Sequence, residues 1–177
     1  MKRLSLVALL LLLCAVAAQA QGTLAGITLP NTIDVGGQSL VLNGMGLRKK
    51  FFIKVYVGGL YLSTKDTSAE KVLAADAPRQ MVLVFLYGVS KTQMCEQWLE
   101  GLADNPPVAM SDDTKTEVKK NFVTLCDWME AIEKGNKLVL TYVPGDGTGV
   151  EVNGKSKGTL PGKATADAIL SNWINAV

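Results

Sequence analysis

Between Phe51 and Leu62 the chain reads FFIKVYVGGLYL, an aromatic and β-branched stretch broken by one lysine and two glycines. That pattern predicts the longest strand of the protein. If the strand is regular back to Arg48, alternation puts Arg48, Phe52, Lys54 and Tyr56 on one side and Phe51, Ile53, Val55 and Val57 on the other. Gly58-Gly59 marks a bulge or a close approach of backbone. RQMVLVFLYGV, from Arg79, is almost wholly apolar and predicts a strand covered on both faces. After a flexible Gln21-Gly22 start, Leu24 to Leu42 reads as short strands broken at Pro30-Asn31 and Gly36-Gly37. KLVLTYV and GVEVNGKSKGTL add strands around tight turns at Gly145-Asp146-Gly147 and Asn153-Gly154.

Elsewhere the apolar period lengthens to that of a helix. Ser68 is placed to cap a short helix over SAEKVLAAD. Ser90-Lys91-Thr92-Gln93 has the spacing of a capping box and opens a helix to about Leu102, with Met94, Cys95, Trp98, Leu99 and Leu102 on its apolar side. NPPVAMSDD interrupts the chain, and Ser111 or Asp112 caps a longer helix reaching Lys134, where Gly135 ends it. Val118, Phe122, Leu125, Met129 and Ile132 form its apolar stripe. A last helix spans about Gly162 to Ala176 and carries Ile169, Leu170 and Trp173. No repeat or linker intervenes. The fold class is therefore α+β, with mostly antiparallel strands and helices packed on one face.

The start of the chain stands apart. Met1-Lys2-Arg3, an apolar run from Leu6 to Ala17 and Ala18-Gln19-Ala20 have the order of a secretory signal, cleaved after Ala20. The run is shorter than the ~20 residues of a spanning helix. The expected organisation is thus a signal peptide at 1–20 and a single domain at 21–177, in a periplasmic or secreted protein. Cleavage takes 177 residues to 157 and 18 basic residues to 16, against 16 acidic. A neutral chain without a long basic block argues against nucleic acid as a partner. No membrane-surface patch stands out, and no stable membrane insertion is expected after cleavage.

The sequence contains no histidine, which excludes Ser-His-Asp and Cys-His catalysis and the usual zinc sites. No metal and no cofactor are expected. Cys95 and Cys126 survive cleavage in a compartment that permits disulfides. They either bridge, closing a loop worth about 3 kcal/mol, or remain two buried thiols. Gly44-Met45-Gly46 is too little of a dinucleotide fingerprint to carry that reading. Asp112-Asp113 and Glu130-Glu133 fit helix-end and solvated charge. What remains is Arg48, whose fork can grip a carboxylate, enolate or phenolate, with the Tyr56 hydroxyl sharing the same oxygen. The alternative is a basic cluster that blunts a strand edge.

The order Gly-x-Gly-x-Arg at Gly44, Gly46 and Arg48, then YVGGLYL with Gly59, Tyr61 and Leu62, then paired helices, then NGK before a final helix, resembles the chalcone isomerase-like family from about Gly22 to Val177. The resemblance implies an open-faced β-sandwich, a large antiparallel sheet covered by helices with a cleft between them. It implies no metal or cofactor. In the plant enzymes the arginine stabilises the enolate during cyclisation, a role that falls to Arg48. The plant catalytic threonine is replaced by Tyr56, and the plant tyrosine falls near Ser90, with Gln93 and Gln97 in place of other polar residues. Fatty-acid-binding relatives hold a carboxylate with an arginine and a tyrosine, which Arg48 and Tyr56 match.

Two functions follow. The first is a non-catalytic binder of a small hydrophobic or aromatic anion such as a fatty acid, anchored by Arg48 and Tyr56 and contacted by Phe52, Tyr87, Ser90, Gln93, Met94, Gln97 and Trp98. The second is an isomerase of the chalcone isomerase type, with Arg48 and Tyr56 catalytic.

Overall fold

The computed structural model describes residues 21–105 and 110–174. The expected export signal and the Pro106-Pro107 break lie outside them. Alternation of buried and exposed positions builds one seven-stranded antiparallel sheet in chain order: β3 (Thr32–Val35), β4 (Gln38–Lys50), β5 (Ile53–Leu62), β6 (Arg79–Phe85), β7 (Lys137–Val143), β8 (Gly147–Val152) and β9 (Lys155–Leu160). The Gln21-Gly22 segment is already strand: β1 (Gln21–Leu24) and β2 (Ile27–Pro30) form a separate hairpin.

One face of the sheet carries α1 (Ala69–Ala74), α2 (Lys91–Asp104), α3 (Asp112–Trp128) and α4 (Lys163–Leu170). Leu60, Leu62, Met81, Leu83 and Phe85 meet Trp98, Phe122, Leu125 and Ile169 there. Each large side chain fully buried in this way contributes about 1.5–3 kcal/mol. Against the other face lies the β1–β2 hairpin, with Leu29 among Leu40, Leu42, Tyr61, Val82 and Val84. The buried Tyr61 hydroxyl donates to the Pro30 carbonyl at 2.8 Å and fixes the hairpin in place.

Of the two possibilities for Gly58-Gly59, the structure shows close approach. The register against β6 runs unbroken through both, and a Cβ on Gly59 would stand 2.3 Å from Leu29 Cδ1. The irregularities fall instead on β4 and β5, at Leu42/Gly44 and Arg48/Lys49.

Three boundaries differ from expectation. The strand expected over Phe51–Leu62 starts at Ile53, and its extension back to Arg48 belongs to β4, because the chain turns at Phe51-Phe52. α3 stops at Trp128 although the apolar spacing continues: Met129 is extended, and Ile132 pairs with Val89 through bonds of 2.8 and 2.9 Å. Those backbone bonds replace the helical ones while Met129 and Ile132 remain buried, so the stripe reads through the helix end. α4 ends at Leu170 and passes into a turn over 171–173.

Candidate functional site

Arg48 lies on β4 and Tyr56 on β5, directly opposite one another. They do not share a strand, as alternation back from Tyr56 implied; the turn at Phe51-Phe52 separates them. The register shift between Arg48 and Lys49 makes them partners. Lys50 faces Ile53 and Lys49 faces Lys54, so without the extra residue Arg48 would oppose Val55 and Tyr56 would project from the other face. The bulge therefore sets the candidate site.

Arg48 Nη2 donates to Gln97 Oε1 on α2 at 3.1 Å. The Gln97 amide donates in turn to Glu100 Oε2 at 2.7 Å, which leaves its oxygen for the arginine. Arg48 thus has a neutral partner, and among the described residues no carboxylate pairs with it. Its charge and most of its five donors remain available.

Tyr56 packs its ring on Phe85, with centroids 5.5 Å apart, and its Oη accepts from Trp173 Nε1 at 2.9 Å. Burial pushes the phenol above the usual tyrosine range, opposed by the Trp173 hydrogen bond and the Arg48 charge. The hydroxyl stays neutral. Since its oxygen accepts from Trp173 and no acceptor takes its proton among the described residues, that proton is free to donate.

Gly44, Gly46 and Gly58 continue the same face of β4 and β5 beyond this pair. A Cβ on Gly44 or Gly46 would meet nothing within 4 Å. The result is an open strip at Gly44 and Gly46 beside the guanidinium, whereas Gly58 is covered by Leu83 and Met81. Between sheet and α4 the space is nearly closed: a cavity of about 20 Å³, room for one water, is lined by residues including Arg79, Thr148, Ile169 and Trp173. Thr148 Oγ1 is buried there without a protein partner. A narrower crevice runs between Trp98, Phe122 and Trp173. Trp173 and Ile169 line both and together fill this end of the interface.

A buried ionic cluster, whose Arg79 lines the same cavity as Trp173, ties α4 to β6 and α1. Arg79 of β6, 4% exposed, pairs with Asp167 of α4 and donates to the Val72 carbonyl of α1 at 3.3 Å. Lys163 bonds the other Asp167 oxygen at 2.6 Å and also reaches the Leu73 carbonyl. The Arg79 guanidinium lies 4.8 Å from the centre of the Tyr142 ring, and Tyr142 donates to Asp76 at 2.6 Å. Burial, and then Asp76, push the Tyr142 phenol up to about 12.

The other expected site residues divide. Gln97 reaches Arg48, and Met94 and Trp98 are buried beneath α2. Ser90 and Gln93 are exposed and bond each other's backbone as the capping box of α2, so their polar atoms are already engaged. Phe52 is not a wall of the cleft: it stands at the hairpin tip, 91% exposed, and Tyr87 is 55% exposed. Cys95 and Cys126 are free, partly buried thiols close enough to hydrogen-bond. Burial, and then Cys95, push Cys126 up to about 12. Trp173, Arg79 and Thr148 were not anticipated at the site; Arg79 opening an apolar strand was the one visible signal. Among the described residues no cluster of potential ligands could hold a metal ion.

An antiparallel sheet under a layer of helices, with an arginine and a tyrosine opposite one another on β4 and β5, defines an open-faced sandwich. Residues 20–176 match the chalcone isomerase-like family, and the chain belongs to that family. Among solved structures it is similar to a fatty-acid binding protein from Arabidopsis thaliana, with a TM-score of 0.66 and 19% identity over 88% of this chain and 89% of that one. No curated protein sequence matches it.

Proposed function

We propose that this protein binds a small apolar anion of the fatty-acid type and does not catalyse a reaction on it. The observation that carries this reading is the pair Arg48 and Tyr56, one with an uncompensated charge and the other with a free hydroxyl proton, facing each other beside an open glycine strip. A carboxylate accepts from both, and the strip receives the first part of the tail. The similar Arabidopsis protein is a fatty-acid binding protein, which supports the same reading. Deeper entry requires Trp173 to move, because the cavity behind it is far smaller than the ~300 Å³ of an ordinary ligand pocket.

Cyclisation of an enone asks for a wider set of preorganised donors around the developing enolate. Ser90 and Gln93 are committed to a helix cap, so binding is favoured over isomerase activity. The leader at 1–20 supports action in the periplasm or outside the cell. The test is native mass spectrometry of protein purified from its export compartment, with extraction of any bound acid, for wild type and Arg48→Ala. A fatty acid present in the first and absent from the second supports the proposal. Equal fatty-acid affinity in both variants rejects the arginine anchor.

A further inference from the structure

The β4–β5 hairpin ends in two phenylalanines that touch almost nothing: Phe51 is 88% and Phe52 91% exposed. Phe51 has a φ of 55°, which a bulky residue rarely adopts and which glycine or asparagine takes at less cost. Lys49 and Lys50 precede the turn and Lys54 follows it, all exposed. Among the described residues no carboxylate pairs with any of the three. β6 pairs with β5 only from Tyr56 onward, so the tip projects beyond its neighbour. At its base, Tyr87 donates its N–H to the Val55 carbonyl at 3.2 Å and adds a third exposed aromatic ring. Read as one continuous strand the sequence shows no such patch; the turn is what gathers it.

We infer that this tip docks the protein on an anionic lipid bilayer, with Phe51 and Phe52 entering the headgroup region and Lys49, Lys50 and Lys54 on the lipid phosphates. Aromatic rings settle at the membrane interface, and cations close to an anionic surface strengthen the attachment. Lysine stems lie along apolar surface while their ammonium groups stay in water. A protein partner suits the patch less well, because lysine is depleted at protein interfaces. No helix among the described residues is long and apolar enough to cross a membrane. This inference goes beyond anion binding and does not depend on it, since none of the docking residues belongs to the Arg48–Tyr56 pair.

The test is co-sedimentation with vesicles of equal phosphatidylcholine and phosphatidylglycerol, and with vesicles of phosphatidylcholine alone. Every variant is used in the form that accumulates in exporting cells, with its N-terminus read by mass spectrometry. The wild type should sediment with the mixed vesicles. The double variants Phe51→Ser/Phe52→Ser and Lys49→Glu/Lys50→Glu should each partition roughly tenfold less or weaker still, with unchanged near-ultraviolet circular dichroism. Equal sedimentation of variants and wild type overturns the proposal, as does equal binding of the wild type to phosphatidylcholine alone. Retention on a polyglutamate resin without vesicle binding would assign the tip to an acidic protein and overturn the lipid.

Discussion

Trp173 donates its indole N–H to the Tyr56 hydroxyl at 2.9 Å, joining positions 117 residues apart. The bond occupies the phenol oxygen and leaves its proton for a ligand, while the indole ring fills the space behind. Trp173→Ala removes both. Stability should fall by about 1–3 kcal/mol, less than for a fully buried tryptophan. A saturating fatty acid should raise the variant's melting temperature by more than it raises that of wild type, because the tail then fills the space. An equal rise in both would show that the tail does not enter there.

The anchor and the strip separate by substitution. Arg48→Ala should weaken fatty-acid binding by about 1.5–3 kcal/mol, the range for hydrogen bonds to a charged group, while Arg48→Lys retains part of the affinity. Gly46→Leu fits without backbone strain, since its φ is not positive and nothing lies within 4 Å of its Cβ position. It should block the strip and leave the melting temperature unchanged. Calorimetric titration with a fatty acid, beside thermal melts, reads both.

Asp167 is the only carboxylate paired with Arg79 among the described residues. Asp167→Ala leaves a guanidinium buried without its counter-charge, a change that costs about 3–5 kcal/mol. Urea unfolding should report a loss of that size. A loss below about 1 kcal/mol would mean that the cluster is more open to solvent than its burial indicates.

Tyr142 makes stability depend on alkaline pH. Its folded-state pKa is raised from 10.0 to about 12, so the folded state holds the proton more tightly than the unfolded chain. The stabilisation is fully present below pH 10 and is lost as pH rises toward 12. Tyr56 and Tyr61 are shifted in the same direction. Denaturation midpoints measured across that window should fall less steeply in Tyr142→Phe than in wild type.

Cys95 and Cys126 should form a disulfide when the protein matures in an oxidising compartment. The Cys126 thiol, pushed up to about 12, is a poor nucleophile at neutral pH, so uncatalysed air oxidation should be slow. Intact-mass measurement with and without reductant should differ by two hydrogen atoms, and closure of the loop should add about 3 kcal/mol. An unchanged mass after export would leave the pair as thiols.

The elements were legible wherever one residue type decides the backbone. Ser68, Ser90 and Ser111 cap α1, α2 and α3 from the positions their spacing indicates. Alternation marked the sheet and one-sided stripes marked the helices. The turn at Phe51-Phe52 was hidden because it contains no glycine, asparagine or proline and its aromatics score as strand. The end of α3 was hidden because Met129 and Ile132 remain buried after the helix has stopped. Arg48 and Tyr56 could be picked out by chemistry, but the single-residue shift that makes them face each other has no signature in composition. Trp173 read as core because an indole that plugs a cleft and one that packs a helix occupy the same kind of apolar stripe.

The tryptophan that completes the site comes from the turn after α4, at the last positions the structure describes, whereas the strands it serves come from the first half of the chain. No nascent chain can assemble the full set before Trp173 has been made. A chain shortened before Trp173 could form the meander yet would leave the Tyr56 hydroxyl without its indole partner and this end of the sheet–helix interface unfilled.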